Sequence, residues 1–250
     1  VRMPHLLDWM ARQSPDVVCL QETKVEDSKF PLDAIERAGY RCVWSGQKTY
    51  NGVAILSKRP ASDITTGIPG LADEQKRVIA ATLGNPGDEL RIVCAYVPNG
   101  QALGSDKYRY KLEWLAAFRN WLEDELRRHP RLAVLGDYNI APADEDVHDP
   151  RAWEGQVLCS PGERQAFRGL LALGFTDSFR ALAPTEKSFT WWDYRMNAFK
   201  RGLGLRIDHV LLSPELASRC RSCVIDSAPR GLERPSDHAP ILAELESAGA

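Results

Sequence analysis

Four short apolar runs in this chain each lie directly beside an acidic residue. The segment RLAVLGDYNIAP (131–142) is apolar for four residues and then turns at a glycine onto Asp137. The same arrangement recurs in VVCLQET, LRIDHVLL and SDHAPIL, which carry Glu22, Asp208 and Asp237. Apolar runs of this length bounded by turn residues are typical of strands buried in a sheet. The pattern therefore predicts a sheet whose strand ends carry carboxylates.

The other segments predict an α+β architecture. Apolar residues at helical spacing predict helices before Pro15 and over 31–38, 106–128 and 164–173. Strand-like runs come in groups and hairpins, such as RVIAATL and LRIVCAYV around the turn GNPGDE, and not in strict alternation with helices. This order favours a layered α+β fold over a doubly wound parallel sheet. Without a linker-like segment or an internal repeat, we expect one domain over 1–250, with sheets inside and helices outside.

One segment has no periodic pattern. Residues 141–163 are polar and contain several prolines. We expect a long surface loop there, and loops of this length often carry function.

Composition limits the classes of protein that this chain can belong to. The formal net charge is −2, so no global basic field indicates a nucleic-acid partner, although a local basic patch stays possible. No apolar stretch approaches the roughly 18–20 residues that span a bilayer. The opening VRMPHLLDWM lacks the apolar core of a secretory signal. We therefore expect no membrane association and a cytoplasmic location. The six cysteines are expected to be reduced and structural, because the lone C-x-x-C of Cys220 and Cys223 is a weak metal signal.

Converging strand-end carboxylates would need a cation. Several anions in one place are costly unless a cation or a proton intervenes. Oxygen-rich sites without sulfur select hard cations, so Mg²⁺, or Mn²⁺ in its place, is expected. A single aspartate after a strand is, however, more often a turn residue that binds its own backbone. Periodicity and spacing leave open whether the four strand ends meet.

Five motifs occur in an order that resembles a known family. They are CLQETK (19–24), AYVPNG (95–100), LGDYNIAP (135–142), WWDYRMNAFKRGLGLRIDHVLLS (191–213) and ERPSDHAPI (233–241). Together they resemble bacterial exonuclease III, the apurinic/apyrimidinic endonucleases of the endonuclease/exonuclease/phosphatase superfamily. The resemblance implies a four-layered α/β sandwich, with two mixed, mainly antiparallel sheets face to face and helices outside. It also implies that the strand-end acids meet in one pocket.

The resemblance further implies a metal-dependent phosphodiesterase of DNA repair. Such an enzyme cleaves double-stranded DNA 5′ to abasic sites and removes nucleotides or blocking groups from 3′ ends, and we expect it to act as a monomer. The implied metal ligands are Glu22, Asp137, Asn139, Asp237 and His238. The implied catalytic residues are Tyr96, Asp137, Asn139, Asp208 and His238, with Asp137 acting on the attacking water and Asp208 orienting the ring of His238.

The implied DNA and phosphate contacts come from Asn99 and from a segment that mixes aromatic and basic residues. In that segment Trp191 and Leu205 hold the matching positions, and Arg195 and Lys200 are expected to bind phosphates. Aromatic faces stack on bases and cations bind phosphates, so the composition suits a nucleic-acid partner.

Two alternatives stay open from the sequence. Family members begin with a strand ending in W-N-x-N/D-S/G-x-R, whereas this chain opens at VRMPHLLDW, so we expect the sequence as given to lack that first strand and one group around the metal. A catalytically inactive, nucleic-acid-binding regulator of the same fold is therefore an alternative. A phosphodiesterase acting on an inositol phosphate, a sphingolipid or RNA is a further one, which the aromatic and basic segment disfavours.

Overall fold

The computed structural model describes residues 2–247 of the chain. By chain segment it forms two compact units, Val1–Tyr96 with Glu125–Gly136 and Val97–Asp124 with Asp137–Ala250. The chain changes unit three times, so neither unit is one continuous segment. The single domain predicted for the whole chain stays a prediction.

Strands and helices alternate irregularly along the chain, as the α+β prediction expects. The strands are β1 Val17–Gln21, β2 Arg41–Ser45, β3 Val53–Ser57, β4 Ala61–Thr66, β5 Val78–Leu83, β6 Leu90–Tyr96, β7 Leu132–Asp137, β8 Thr176–Asp177, β9 Asp208–Leu212, β10 Cys220–Ile225 and β11 Ile241–Leu245. The α-helices are α1 Met3–Gln13, α2 Leu32–Arg37, α3 Asp106–Arg128, α4 Pro150–Trp153, α5 Pro161–Leu171, α6 Ser178–Leu182 and α7 Pro214–Ala217. Short 3-10 helices cover Asp27–Lys29, Asp144–Asp146, Arg195–Asn197 and Ala228–Gly231.

The first unit contains two antiparallel sheet layers. β3 lies between β1 and β2, and β5 lies between β4 and β6. β3 contacts β5 and β6, so the layers face each other. Every residue of β3 and of β5 is buried. Both strands consist mainly of apolar residues, as is typical of a strand that is covered on both faces. The predicted β5–β6 hairpin is confirmed.

The helices of the first unit follow their predicted periodicity. α1 buries Trp9 and Met10, and α2 buries Ile35. α1 has its proline within the first two helical positions, where the missing N–H costs nothing. The helices predicted before Pro15 and over 31–38 are therefore confirmed within a few residues.

The second unit is built on β9. β8 pairs with β9 and β10 pairs with β11, both antiparallel, and β11 contacts β9. Helix α6 packs against β9 and β10. None of the helices in the described part of the chain is both long and apolar enough to cross a membrane.

The prediction that residues 141–163 form a long surface loop is wrong. This segment holds a 3-10 helix, α4 and the start of α5, and Asp146 and Val147 in it are fully buried. The polar composition was misleading because two of its acids, Asp146 and Glu163, are buried and paired: the Asp146 carboxylate accepts a hydrogen bond from Arg206 Nε at 2.7 Å. Buried charges are tolerated when they are paired and hydrogen-bonded in this way.

Strand β10 was not predicted. Its sequence CRSCVI alternates polar and apolar residues weakly, and only Cys223 in it is buried. All six cysteines are free thiols, in agreement with the prediction that they are reduced. Burial raises the pKa of the Cys223 thiol to about 12, although Ser178 donates a hydrogen bond to it, so this thiol is unreactive at neutral pH.

Candidate active site

The turn after β7 places Asp137 at the end of its strand. A Cβ on the preceding Gly136 would lie 1.9 Å from the carbonyl oxygen of Ala95, so no side chain fits there. Asn139 has a φ of 50°, a left-handed conformation that asparagine tolerates better than most residues. Its backbone N–H donates to Asp137 Oδ1 at 2.8 Å, which closes the turn. The sequence GDYN therefore fixes a buried carboxylate at a strand end.

Asn139 is held from three sides. Its Nδ2 donates to the carbonyl of Val97 at 2.9 Å and to Asp137 Oδ2 at 3.2 Å. Its Oδ1 accepts a hydrogen bond from Asn99 Nδ2 at 3.0 Å. Asp137 and Asn139 are both 5% exposed, whereas Asn99 is exposed. The orientation of the Asn139 amide is thus set before any substrate arrives.

A second carboxylate of this unit orients a histidine. Asp208, the first residue of β9, accepts a hydrogen bond from His238 Nδ1 on its Oδ2 at 2.8 Å. The backbone N–H of Asp208 in turn donates to Thr190 Oγ1 at 3.0 Å. The other ring nitrogen, His238 Nε2, lies 3.9 Å from Asp137 Oδ2. One imidazole therefore stands between two carboxylates.

The charges around His238 favour its protonated form. Burial lowers the pKa of the imidazole, but the charge and hydrogen bond of Asp208, with the charges of Asp137 and Asp237, outweigh burial and raise the pKa to about 10. The ring is 28% exposed on its side chain, so it is accessible from solvent. At neutral pH this arrangement offers an imidazolium to an anionic group.

The donor set of this cluster suits a hard cation. One atom each from Asp137, Asp208 and His238 lies within 4.8 Å of the other two, and this is the cluster among residues 2–247 that could hold a metal ion. The two carboxylates are ligands that Mg²⁺ or Mn²⁺ accepts, whereas an imidazole is a more usual ligand of softer transition metals. The cluster includes Asp208, which the resemblance assigned to orienting His238.

Two of the predicted residues lie in the first unit and contact each other. Glu22, directly after β1, is half-exposed and accepts a hydrogen bond from the hydroxyl of Tyr96. Lys24 Nζ lies 2.8 Å from the second carboxylate oxygen of Glu22. The guanidinium of Arg77 lies 4.7 Å from the centre of the Tyr96 ring. Whether Glu22 and Asp137 hold one ion together stays a prediction.

Asp237 contacts aromatic side chains. Its Oδ2 accepts a hydrogen bond from the indole Nε1 of Trp191 at 3.1 Å, and its Oδ1 lies 3.4 Å from the hydroxyl of Tyr194. Trp192, the neighbour of Trp191, is buried at 5% exposure. Trp191 is thus the half-buried member of the pair, and its ring is fixed by Asp237.

The remaining predicted DNA contacts differ in accessibility. Arg195 is exposed and pairs with Asp193 at 2.8 Å, and Lys200 is exposed. Leu205 is fully buried and pairs with Trp191 in an isolated antiparallel bridge. The side chain of Leu205 lies in a core cluster against which Trp191 packs, and its contact with DNA stays a prediction.

The sequence patterns did not single out three residues that support the site. Thr190 accepts hydrogen bonds from the backbone N–H groups at the start of β9. Lys111 donates to the carbonyl of Asn139 and pairs with Glu163. Only Glu163 left a readable signal, because SPGE at 160–163 is a capping box, and the structure contains that box.

Comparison with known proteins places these residues in a family context. The sequence profile of the Endonuclease/Exonuclease/phosphatase family matches residues 2–238. Exodeoxyribonuclease III of Haemophilus influenzae is 38% identical over 97% of this chain and 95% of its own length.

Solved structures are similar over nearly the whole chain. A 3′ phosphatase from Neisseria bound to a product DNA hairpin is 47% identical, with a TM-score of 0.95 over 98% of this chain and 95% of that one. An AP endonuclease from Archaeoglobus fulgidus is 38% identical, with a TM-score of 0.92 over 98% and 95% of the two chains. This likeness confirms the predicted fold class.

Proposed function

Because the chain belongs to the endonuclease/exonuclease/phosphatase family, we propose that it is a DNA-repair phosphodiesterase that requires a divalent cation, Mg²⁺ or in its place Mn²⁺. Its substrate is duplex DNA, which it cleaves 5′ to abasic sites and from which it removes nucleotides or blocking groups at 3′ ends. Relatives named exodeoxyribonuclease III, 3′ phosphatase and AP endonuclease support this range of substrates.

The observation that carries the proposal is the cluster of Asp137, Asp208 and His238. Hydrolysis of a phosphodiester needs a group that takes a proton from water and cations that neutralise the phosphate. Asp137 is the acceptor for the water proton, and Asn139 orients that water or a phosphate oxygen. His238, whose pKa is raised to about 10, supplies a positive charge to the scissile phosphate.

Asp208 keeps His238 in one orientation. By accepting a hydrogen bond from Nδ1, it leaves Nε2 directed away from itself and toward the side of Asp137. A carboxylate in this position fixes the ring and stabilises the imidazolium. Tyr96 and Asn99 bind the phosphate or assist the leaving group.

The residues proposed to hold the cation are Glu22, Asp137, Asn139, Asp237 and His238, the last only when its imidazole is neutral, because a protonated ring has no free lone pair for a metal. When bound, the cation would neutralise negative charge that develops on the phosphoryl and leaving oxygens. The oxygen-rich donor set is the reason to expect Mg²⁺. Trp191, Arg195 and Lys200 contribute stacking and phosphate contacts on the DNA side. The monomeric state and the cytoplasmic location stay predictions.

The test is incision of a duplex that carries a tetrahydrofuran abasic analogue, with Mg²⁺ and with EDTA. We expect metal-dependent cleavage 5′ to the analogue, and trimming of recessed and 3′-phosphate ends in parallel assays. Asp137→Asn should lower turnover by about 10²- to 10⁴-fold, the usual contribution of a general base, with DNA affinity nearly unchanged. Tight binding without turnover by the unsubstituted chain would support the inactive regulator, and no metal-dependent incision would overturn the proposal.

A further inference from the structure

A fully buried lysine lies beneath the turn that carries Asn139. The side chains of Lys111, on α3, and Glu163, on α5, are both 0% exposed. Lys111 Nζ donates to the carbonyl of Asn139 at 2.7 Å, to the carbonyl of Asn99 at 3.1 Å and to Glu163 Oε1. An ammonium has three N–H donors, so each has an acceptor.

The two carbonyls that Lys111 binds belong to residues whose side chains also bind each other. Asn99 Nδ2 donates to Asn139 Oδ1 at 3.0 Å, and Asn139 Nδ2 in turn reaches Asp137. Gly100 lets the backbone approach the lysine stem, because a Cβ there would lie 3.1 Å from Lys111 Cδ. One ammonium thus ties together the main chains of two loops that are separate in sequence.

Glu163 is fixed on its far side by its own helix start. Its Oε1 also accepts from the backbone N–H of Leu158 at 3.0 Å, and its Oε2 accepts from Ser160 N at 3.1 Å and Ser160 Oγ at 2.6 Å. Burial lowers the pKa of Lys111 and the charge of Glu163 raises it, with burial prevailing. Buried ion pairs of this kind are often no more stabilising than apolar residues of the same volume. Stability alone therefore does not account for the pair.

We propose that Lys111, held by Glu163, is a positioning residue that sets the distance and orientation of Asn99 and Asn139 for the reaction. This inference rests on the proposed function. Lys111 has no exposed surface and does not reach substrate. It acts through the carbonyl groups of two residues whose side chains are assigned to water or phosphate.

The first unit supplies a matched control. Arg91 and Glu125, also an α3 residue, form a second buried pair, Nε to Oε2 at 2.7 Å, with both side chains 1% exposed. Arg91 otherwise donates to the carbonyl of Asp63 and to the hydroxyls of Thr82 and Thr65. None of these partners is a predicted site residue.

The experiment compares two double variants that each remove both charges of a pair. They are Lys111→Met with Glu163→Gln, and Arg91→Met with Glu125→Gln. Turnover and KM are measured on the abasic-analogue duplex, and Tm is measured by thermal unfolding. We expect similar Tm losses. We also expect a fall in kcat of about 10- to 100-fold only in the Lys111 pair, as for loss of groups that orient ligands, with KM little changed.

A second substitution separates positioning from packing. Lys111→Gln with Glu163→Gln keeps N–H donors near both carbonyls and should recover part of the lost kcat at a similar Tm. In metal-free protein, the side-chain amide resonances of Asn99 and Asn139 should shift in the methionine variant and less in the glutamine variant. If the methionine pair does not fold, the glutamine pair carries the same comparison of kcat and amide shifts.

Three results would overturn the inference. The first is an unchanged kcat in a folded Lys111 variant. The second is an equal fall in kcat in the Arg91 control, which would make the effect a general loss of stability. The third is amide shifts that do not respond to removal of the lysine. Failure of the proposed function is distinct, because the unsubstituted chain would then show no metal-dependent incision.

Discussion

Two adjacent residues of β9, Asp208 and His209, belong to two different hydrogen-bond networks, and the histidines of these networks have opposite charge states. Asp208 binds His238, whereas the next residue, His209, lies beside Arg206. Successive residues of a strand point to opposite faces, so one strand end serves both networks. Each network contains aspartates, yet the pKa of His238 is raised to about 10 and that of His209 is lowered to about 4.

The fixed cation explains the difference. His209 is fully buried, and burial together with the charge of Arg206 outweighs the nearby carboxylates and lowers its pKa. Arg206 Nη1 donates to His209 Nδ1 at 2.9 Å, so the neutral ring carries its proton on Nε2, which donates to the carbonyl of Ile140 at 2.8 Å. No such arginine faces His238 among the partners that set its pKa. Of these two histidines, the cationic one is His238, for which no arginine is among the groups that set the pKa.

Arg206 is paired with both aspartates of its network. Asp146 accepts from Arg206 Nε, and Asp177 accepts from both terminal nitrogens, at 3.0 and 2.7 Å. Burial raises the pKa of each carboxyl, but the charge of Arg206 outweighs it and lowers both pKa values. This network is therefore structural, while the network of His238 keeps a positive charge accessible to solvent.

The largest expected effect is on stability, in the Arg206 network. Asp177→Asn removes one charge of a buried, bidentate pair and leaves Arg206 undercompensated, so the free energy of unfolding should fall by about 3–5 kcal/mol. Turnover of the folded variant should be unchanged. Asp144→Asn is the control, because Asp144 is 64% exposed where it pairs with Arg164 and should cost about 1 kcal/mol or less. Urea unfolding measures both, and equal losses would refute the distinction.

The amino-acid pattern indicated the residues of the candidate site better than it indicated the buried residues that hold them in place. Asp137, Asp208 and His238 could be singled out in advance because each lies beside an apolar run that predicts a strand, but only the family resemblance implied that they meet. Lys111 could not, because periodicity places a charged residue of a helix on the solvent side. Its burial depends on Glu163, which comes from a segment that composition assigned to the surface. Pairing between distant charges cannot be read from local composition.

The same limit applies to the fold. β3 and β5 were predicted because all but one residue of each is apolar, whereas β10 carries Arg221 and Ser222 side by side and was missed. Leu205 was assigned to DNA by motif position alone. Its burial follows from a strand-like bridge to Trp191 that no sequence pattern shows.

In metal-free protein, His209 and His238 should make the free energy of unfolding change with pH in opposite directions. For His209 the folded pKa of about 4 lies below the unfolded value of 6.5. Its contribution is therefore complete above pH 6.5 and is lost as pH falls toward 4, by about 3 kcal/mol at most. For His238 the folded pKa of about 10 lies above 6.5, so its contribution is complete below pH 6.5 and is lost as pH rises toward 10.

Unfolding in urea with EDTA across pH 4–10 checks these windows. His209→Gln should flatten the acid side of the stability profile, and His238→Gln the alkaline side. The unsubstituted protein should be most stable near pH 6.5, where both contributions are present. If either substitution changed the opposite side of the profile, the assignment of charge states would be wrong.

The smallest expected effect is on turnover, in the network of Asp208 and His238. Asp208→Asn keeps the size of the side chain but removes the charge that orients and protonates His238. Turnover on the abasic-analogue duplex should fall by about 10- to 100-fold, as is usual when a partner that orients a functional histidine is lost. Asp208 is 8% exposed and pairs with a ring that solvent reaches, so stability should fall by less than in Asp177→Asn. The opposite ranking, a larger stability loss at Asp208 with normal turnover, would mean that the His238 network is structural as well.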